Sequence, residues 1–169
     1  MTSVNQLLKR ASVQAGRTRK DTFKKNFDNK FSRGRNISSM RSRDTFHIVV
    51  TDINHNVRDF LQRELEKEGY TVASVKTGIM VLEHIASPHP LDLIILDPEL
   101  FHGFDEEFID KMVRRRPSLQ IIMHTFADWA ATIQPGHNIH LVEKDGQSIG
   151  AIKSIVQTCF TRFQEKSTA

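Results

Sequence analysis

A doubly wound α/β sandwich on a five-stranded parallel sheet is the fold class this sequence predicts, and three observations predict it. The runs Ile48-Val49-Val50 and Leu93-Ile94-Ile95-Leu96 are continuously apolar, as strands buried on both faces of a parallel sheet demand. Amphipathic stretches with helical spacing alternate with such runs from Thr45 onward. The chain has 169 residues, 38% hydrophobic and 26% charged. That is enough for one α/β domain with a real core and too few for a multidomain enzyme.

The strands are expected over residues 46–52, 71–75, 91–97, 119–124 and 139–142. After the first, Val57, Phe60, Leu61 and Leu65 form one helical face that ends at Gly69, a good residue just past a helix. Val81, Leu82 and Ile85 mark a second helix. Phe104, Phe108 and Met112 mark a third, opened by Asp105-Glu106-Glu107 and closed by Arg114-Arg115-Arg116 before Pro117, a charge order that suits the helix dipole. Residues 126–133 can make about two further helical turns before Pro135-Gly136. Ile149, Ile152, Val156, Phe160 and Phe163 give a C-terminal helix its apolar face. Strands each followed by a helix imply right-handed crossovers and a sheet covered on both sides.

The net charge of +4 hides an asymmetry. Residues 1–44 carry 12 Lys/Arg against three Asp, and residues 45–169 carry 12 Lys/Arg against 17 Asp/Glu. The domain organisation expected is therefore a basic arm and linker over 1–44, a mildly acidic body over 45–165 and a short tail over 166–169. In the arm, Val4, Leu7, Leu8 and Ala11 have helical spacing, and Phe23, Phe27 and Phe31 recur every four residues among lysines. Such a segment suits an acidic protein, nucleic acid, an anionic membrane or the body itself.

Several function classes are disfavoured. No apolar stretch approaches a membrane span and the N-terminus lacks a secretory signal, so a cytoplasmic location is expected. One cysteine, Cys159, leaves no disulfide framework and no multi-cysteine metal site; it is expected in the core or at an interface, as is Trp129. No phosphate-binding loop, dinucleotide fingerprint or serine elbow is present. The eight histidines include His55, His102 and His124 near the expected strand ends, but no close-spaced ligand set occurs, which favours surface or packing roles.

In doubly wound sheets the chemistry gathers beyond the carboxyl ends of the strands. The residues there are Asp52, Asp97, Thr125 and Lys144. Two acids without His or Cys ligands favour a hard cation such as Mg²⁺. A carboxylate beside Mg²⁺ and a lysine can attack a phosphoryl group, because both cations offset charge on the transferring oxygens while a hydroxyl donates a hydrogen bond. An Asp at the end of a buried strand can also simply cap the following turn.

Phe46-His47-Ile48-Val49-Val50-Thr51-Asp52, Leu93-Ile94-Ile95-Leu96-Asp97, Ile121-Ile122-Met123-His124-Thr125 and Leu141-Val142-Glu143-Lys144 resemble the four strand-end motifs of response-regulator receiver domains. The likeness covers residues 45–165. It implies a flavodoxin-like, three-layer sandwich with strand order 2-1-3-4-5. It also implies Asp97 as phosphoacceptor, Asp52 as a Mg²⁺ acid, the Glu99 backbone carbonyl as a further metal ligand, Thr125 as the switch hydroxyl and Lys144 as the phosphate-contacting amine. Departures from the family pattern are Ile53 in place of a second acid, Asp145 in place of a proline after Lys144, and Leu141 in place of a mobile aromatic.

The function this implies is a stand-alone receiver of a two-component phosphorelay, signalling through protein contacts. It is not an enzyme beyond Mg²⁺-dependent gain and loss of a phosphoryl group on Asp97. The expected partners are a histidine kinase or phosphotransfer protein, a downstream protein and a second copy in a homodimer. The competing expectations are a phosphorylation-independent pseudo-receiver acting as a scaffold, and an adaptor whose basic arm binds nucleic acid or anionic membrane.

Overall fold

Strand β1, His47–Thr51, is buried at every position. β-Branched residues fit the pleated, doubly covered surface it occupies. The computed structural model describes residues 42–101, 106–127, 136 and 138–168. Residues 1–41, with both expected arm helices, lie outside the described residues, as do His102, Phe104 and Trp129 and nearly all of the helix expected over 126–133.

The chain order is β1, α1 (His55–Lys67), β2 (Thr71–Val75), α2 (Gly78–Ala86), β3 (Leu93–Leu96), α3 (Glu106–Arg115), β4 (Gln120–Thr125), β5 (Ile139–Glu143) and α4 (Ser148–Thr168), with short 3₁₀ turns at Arg43–Thr45 and Pro98–Leu100. All five strands pair in parallel in the order β2-β1-β3-β4-β5. The expected fold class and strand order therefore hold. α4 continues to Thr168, past the boundary at 165 drawn from the sequence.

Alternation along the strands makes two cores. Val49, Ile94, Leu96, Ile121 and Met123 pack beneath Val81, Leu82 and Ile85 of α2 and Phe108, Ile109 and Met112 of α3. Ile48, Val50, Leu93, Ile95, Ile122 and Val142 pack beneath Leu61 and Leu65 of α1 and Ile152, Val156, Cys159 and Phe160 of α4. Cys159 is a core residue, and burial pushes its thiol up to about 11. At the amino edge of the sheet Phe46, Tyr70, Phe160 and Phe163 meet edge to face, with ring centroids 5.3–6.0 Å apart.

Phe60 departs from the expected helical face. It is 40% exposed, with the Arg63 guanidinium 5.6 Å from its ring. Phe60 lies about 100° round the helix from Leu61, beyond the stripe that Val57, Leu61 and Leu65 turn to the sheet. The helix ends match their local chemistry. Asn54 Oδ1 accepts from Asn56 N at 2.9 Å to cap α1, Thr77 Oγ1 accepts from Met80 N at 3.3 Å to cap α2, and Gly69 after α1 has φ +93°. Arg116 closes α2 from outside, donating to the carbonyls of Ile85 at 2.9 Å, His89 at 3.1 Å, and Ser87.

Candidate functional site

Strand register brings the site together. Val50 lies opposite Ile95, so Asp52 and Asp97, each two residues on, leave neighbouring strands side by side. Val50, Ile95, Ile122 and Val142 share the core beneath α1 and α4. A period of two then places Asp52, Asp97, His124 and Lys144 on that same side.

Lys144 joins the two acids. Its ammonium lies 2.9 Å from Asp97 Oδ2 and 3.0 Å from Asp52 Oδ2, and both carboxylates are fully buried. The Lys144 amide donates to the Thr125 carbonyl at 2.8 Å, which fixes the base of the lysine beside β4. Asp97 is held from several sides. Its Oδ1 accepts from Glu99 N at 3.0 Å and its Oδ2 from Ile53 N at 3.0 Å, while its own amide donates to Thr51 Oγ1 at 2.9 Å. Asp97 therefore caps the Pro98–Leu100 turn and pairs with Lys144 at once. Asp52 Oδ1 accepts from Asn54 N at 2.8 Å. Arg58 ties down the same loop by donating to the carbonyl of Asp52 at 2.7 Å and that of Ile53 at 3.3 Å.

The electrostatics follow from burial. Burial, the largest cause, lifts the Asp52 carboxyl above its usual range and the charge of Asp97 adds to it, while the Asn54 amide and Lys144 pull against this. One ammonium cannot offset two buried carboxylates. Burial pulls Lys144 down, but hydrogen bonds and charge from Asp97 and Asp52 outweigh it and hold the ammonium above its ordinary value. Burial, then the Lys144 charge, lowers His124 to about 4.

His124, which the sequence put near the strand ends with a surface or packing role expected, belongs to the site through contacts the sequence did not reveal. Instead of lying at the surface or serving only as packing, it is buried with Nδ1 3.9 Å from Asp52 Oδ2 and Nε2 3.1 Å from Ser148 Oγ. Its parity with Ile122 is the signal that locates it. His55, by contrast, is exposed at the start of α1. Thr125 stands at the same edge, and its Oγ1 is buried without a hydrogen-bond partner among the described residues. The mouth is flanked by two apolar side chains, Ile53 at 61% exposure and Phe126 at 50%, the latter with its ring 5.3 Å from Lys144 Nζ.

No family model matches the chain. Among curated proteins it is 30% identical over 89 residues to the probable transcriptional regulator ycf27 of Cyanidium caldarium, a match spanning 53% of this chain and 35% of that protein. It is 36% identical over 70 residues to the CAI-1 autoinducer sensor kinase/phosphatase CqsS of Vibrio cholerae, spanning 41% and 10% respectively. The matches thus span about a third or less of these relatives' length. Among solved structures it superposes on the response regulator TrrA of Thermotoga maritima in complex with Mg²⁺-BeF, at 23% identity and a TM-score of 0.56, over 68% of this chain and 98% of that one. A CheY-like receiver-domain protein of Methanospirillum hungatei gives 22% and 0.57, over 72% and 97%. The fold is that of a response-regulator receiver domain. A streptococcal redox sensor evolved from two-component response regulators shares the same receiver fold at 21% identity and a TM-score of 0.59, over 73% of this chain and 54% of that one.

The donor set of this receiver fold suits a hard cation at its lower limit. Among the described residues no group of three or more His, Cys, Asp and Glu is placed to hold a metal. Asp52 and Asp97 nonetheless stand together with oxygen lone pairs to spare, and Mg²⁺ characteristically takes few protein oxygens and keeps several waters. Ile53 supplies only its amide, where the receiver pattern has a second acid.

Proposed function

We propose that the chain is a receiver module of a two-component phosphorelay that takes a phosphoryl group on Asp97 and signals through protein contacts. The observation that carries the reading is the Lys144 ammonium bridging two buried carboxylates at 2.9 and 3.0 Å, with the Lys144 amide bonded to the carbonyl of Thr125, whose buried hydroxyl has no partner among the described residues. A carboxylate that only capped a turn needs neither the second acid nor the lysine.

In the step itself, an Asp97 carboxylate oxygen attacks the phosphorus of a phosphohistidine on a kinase or phosphotransfer protein. The new O–P bond forms as the N–P bond breaks, and the imidazole leaves. Lys144 moves from Asp97 Oδ2 to a phosphoryl oxygen, and Thr125 Oγ1 donates to another. Asp52, Asp97 and the Glu99 carbonyl would hold Mg²⁺, whose contribution is charge neutralisation on the transferring oxygens. No enzymatic turnover beyond gain and loss of this phosphoryl group is part of the reading, and a downstream protein partner receives the signal.

The test adds Mg²⁺ with a small-molecule phosphodonor to the full chain. Intact mass should rise by one phosphoryl group in the wild type and stay unchanged in Asp97→Asn. A wild-type mass that does not move under saturating donor removes the reading.

Ile53 favours a second reading, a pseudo-receiver that keeps the fold as an interaction module. Its side chain is 61% exposed at the mouth, where an acid would serve a metal and an apolar group serves a partner. An inert pocket together with a binding partner lost in Ile53→Asp supports this second reading.

A further inference from the structure

Two buried polar atoms face each other across the pocket without bonding. Among the described residues His124 Nδ1 makes no hydrogen bond; it lies 3.9 Å from Asp52 Oδ2, an oxygen paired with the Lys144 ammonium at 3.0 Å but accepting no aligned hydrogen bond. Nitrogen donors reach acceptors to about 3.2 Å, so the contact falls just short. A buried polar group left in this way in a folded protein needs a reason. The other ring nitrogen is engaged, since Nε2 lies 3.1 Å from Ser148 Oγ and Ser148 opens α4. The imidazole thus stands between a strand-end carboxylate and the first turn of the C-terminal helix.

The carboxylate opposite Nδ1 favours the tautomer that carries the proton there, and Nε2 then accepts from the Ser148 hydroxyl. A phosphoryl group on Asp97 draws the Lys144 ammonium toward itself and away from Asp52 Oδ2, and Mg²⁺, which takes few protein oxygens, would use one lone pair of the Asp52 carboxylate and leave others open. The donor that faces Asp52 Oδ2 is His124 Nδ1. Closing the gap by about 1 Å makes a charge-assisted hydrogen bond and pulls the ring from Ser148. This route runs on the sheet face beneath α1 and α4, opposite to the face of Met123, which packs beneath α2 and α3 and whose parity Thr125 shares.

We infer that His124 is a positioning residue that couples occupancy of the Asp97 pocket to the first turn of α4, trading its bond to Ser148 for one to Asp52. The inference rests on the phosphoacceptor reading only for its stimulus.

Hydrogen exchange on the full chain, with and without Mg²⁺ and beryllofluoride, tests it. In the wild type, amide exchange over residues 148–152 should change by at least about threefold on adding the ligand. In Ser148→Ala and in His124→Leu that change should shrink below about twofold, with beryllofluoride binding followed in parallel. A change of undiminished size in Ser148→Ala overturns the coupling, and Ser148→Ala leaves the core intact should His124→Leu fold poorly. A wild type that takes no beryllofluoride removes the phosphoacceptor reading but not this test. Lys144→Ala then frees the facing Asp52 carboxylate of its ammonium without any ligand. It should shift exchange of the same turn at least about threefold when Ser148 is present and not in the Lys144→Ala/Ser148→Ala double variant. Equal shifts in both, or none in either, overturn the inference.

Discussion

The Ile53 backbone amide donates to Asp97 Oδ2 at 3.0 Å while its side chain projects to solvent. The position that lacks an acid still fixes the orientation of the carboxylate proposed to react. Main-chain positioning of Asp97 is thereby separable from whatever the side chain at position 53 donates.

Ile53→Asp should keep the amide contact and add a third hard oxygen donor beside Asp52 and Asp97. Mg²⁺ affinity should rise by about tenfold or more, measured by calorimetric titration. Stability should change little, because the new carboxylate takes an exposed site and remains hydrated. Unchanged Mg²⁺ affinity would show that the cation does not sit between these residues.

Lys144→Ala leaves two buried carboxylates without their cation. At neutral pH the loss should be roughly 3–5 kcal/mol in urea unfolding, the range for breaking a buried pair on one side. Acidification should return part of it as a carboxyl protonates, and Asp52→Asn in the Lys144→Ala background should return part of it at neutral pH. A loss under about 1 kcal/mol would mean the pair is solvated rather than buried.

The pH dependence has a definite sign. His124 is lowered from 6.5 to about 4. As pH falls from 6.5 toward 4 the unfolded chain takes a proton that the folded chain refuses, so stability falls across that window by an amount on the order of 3 kcal/mol and levels off below it. The ring is faced by Asp52 and Ser148, and the charges of Lys144, Asp97 and Asp145 act on it. His47 and His84 are also lowered and act in the same sense. Asp52, raised by burial, acts in the opposite one, because the folded state takes its proton first. His124→Leu should therefore reduce, not abolish, the fall in urea midpoint between pH 7 and pH 5.

Two glycines should respond to alanine for different reasons. At Gly69, φ is +93° and a Cβ would have room, 3.7 Å from Arg43 Cβ, so Gly69→Ala costs backbone strain of about 1–2 kcal/mol. At Gly78 the backbone is ordinary, but a Cβ would lie 2.6 Å from the Phe101 ring. Gly78→Ala must displace Phe101 and with it the turn that follows Asp97. Thermal unfolding should fall in both, and only Gly78→Ala should also shift the signals of residues 97–101.

Sheet and core were legible in the chain because burial on both faces leaves a continuous apolar run, and burial of one helical face leaves a spacing of three and four. Ile48-Val49-Val50, Leu93-Ile94-Ile95-Leu96 and the Ile152, Val156, Phe160 series carried those signals. Phe60 misled because an aromatic one step off the stripe reads the same in a line of letters, and only rotation about the helix axis decides whether it meets the sheet. Asp52, Asp97, Thr125 and Lys144 were legible as strand-end polar residues. The 2.9 and 3.0 Å contacts of Lys144, and the place of His124 against Asp52 and Ser148, were decided by the tertiary structure. Local pattern determines which residues leave the sheet at its carboxyl edge, since that depends on each strand's own burial. Which of them touch depends on strand order and register, and those are set by distant segments pairing with one another.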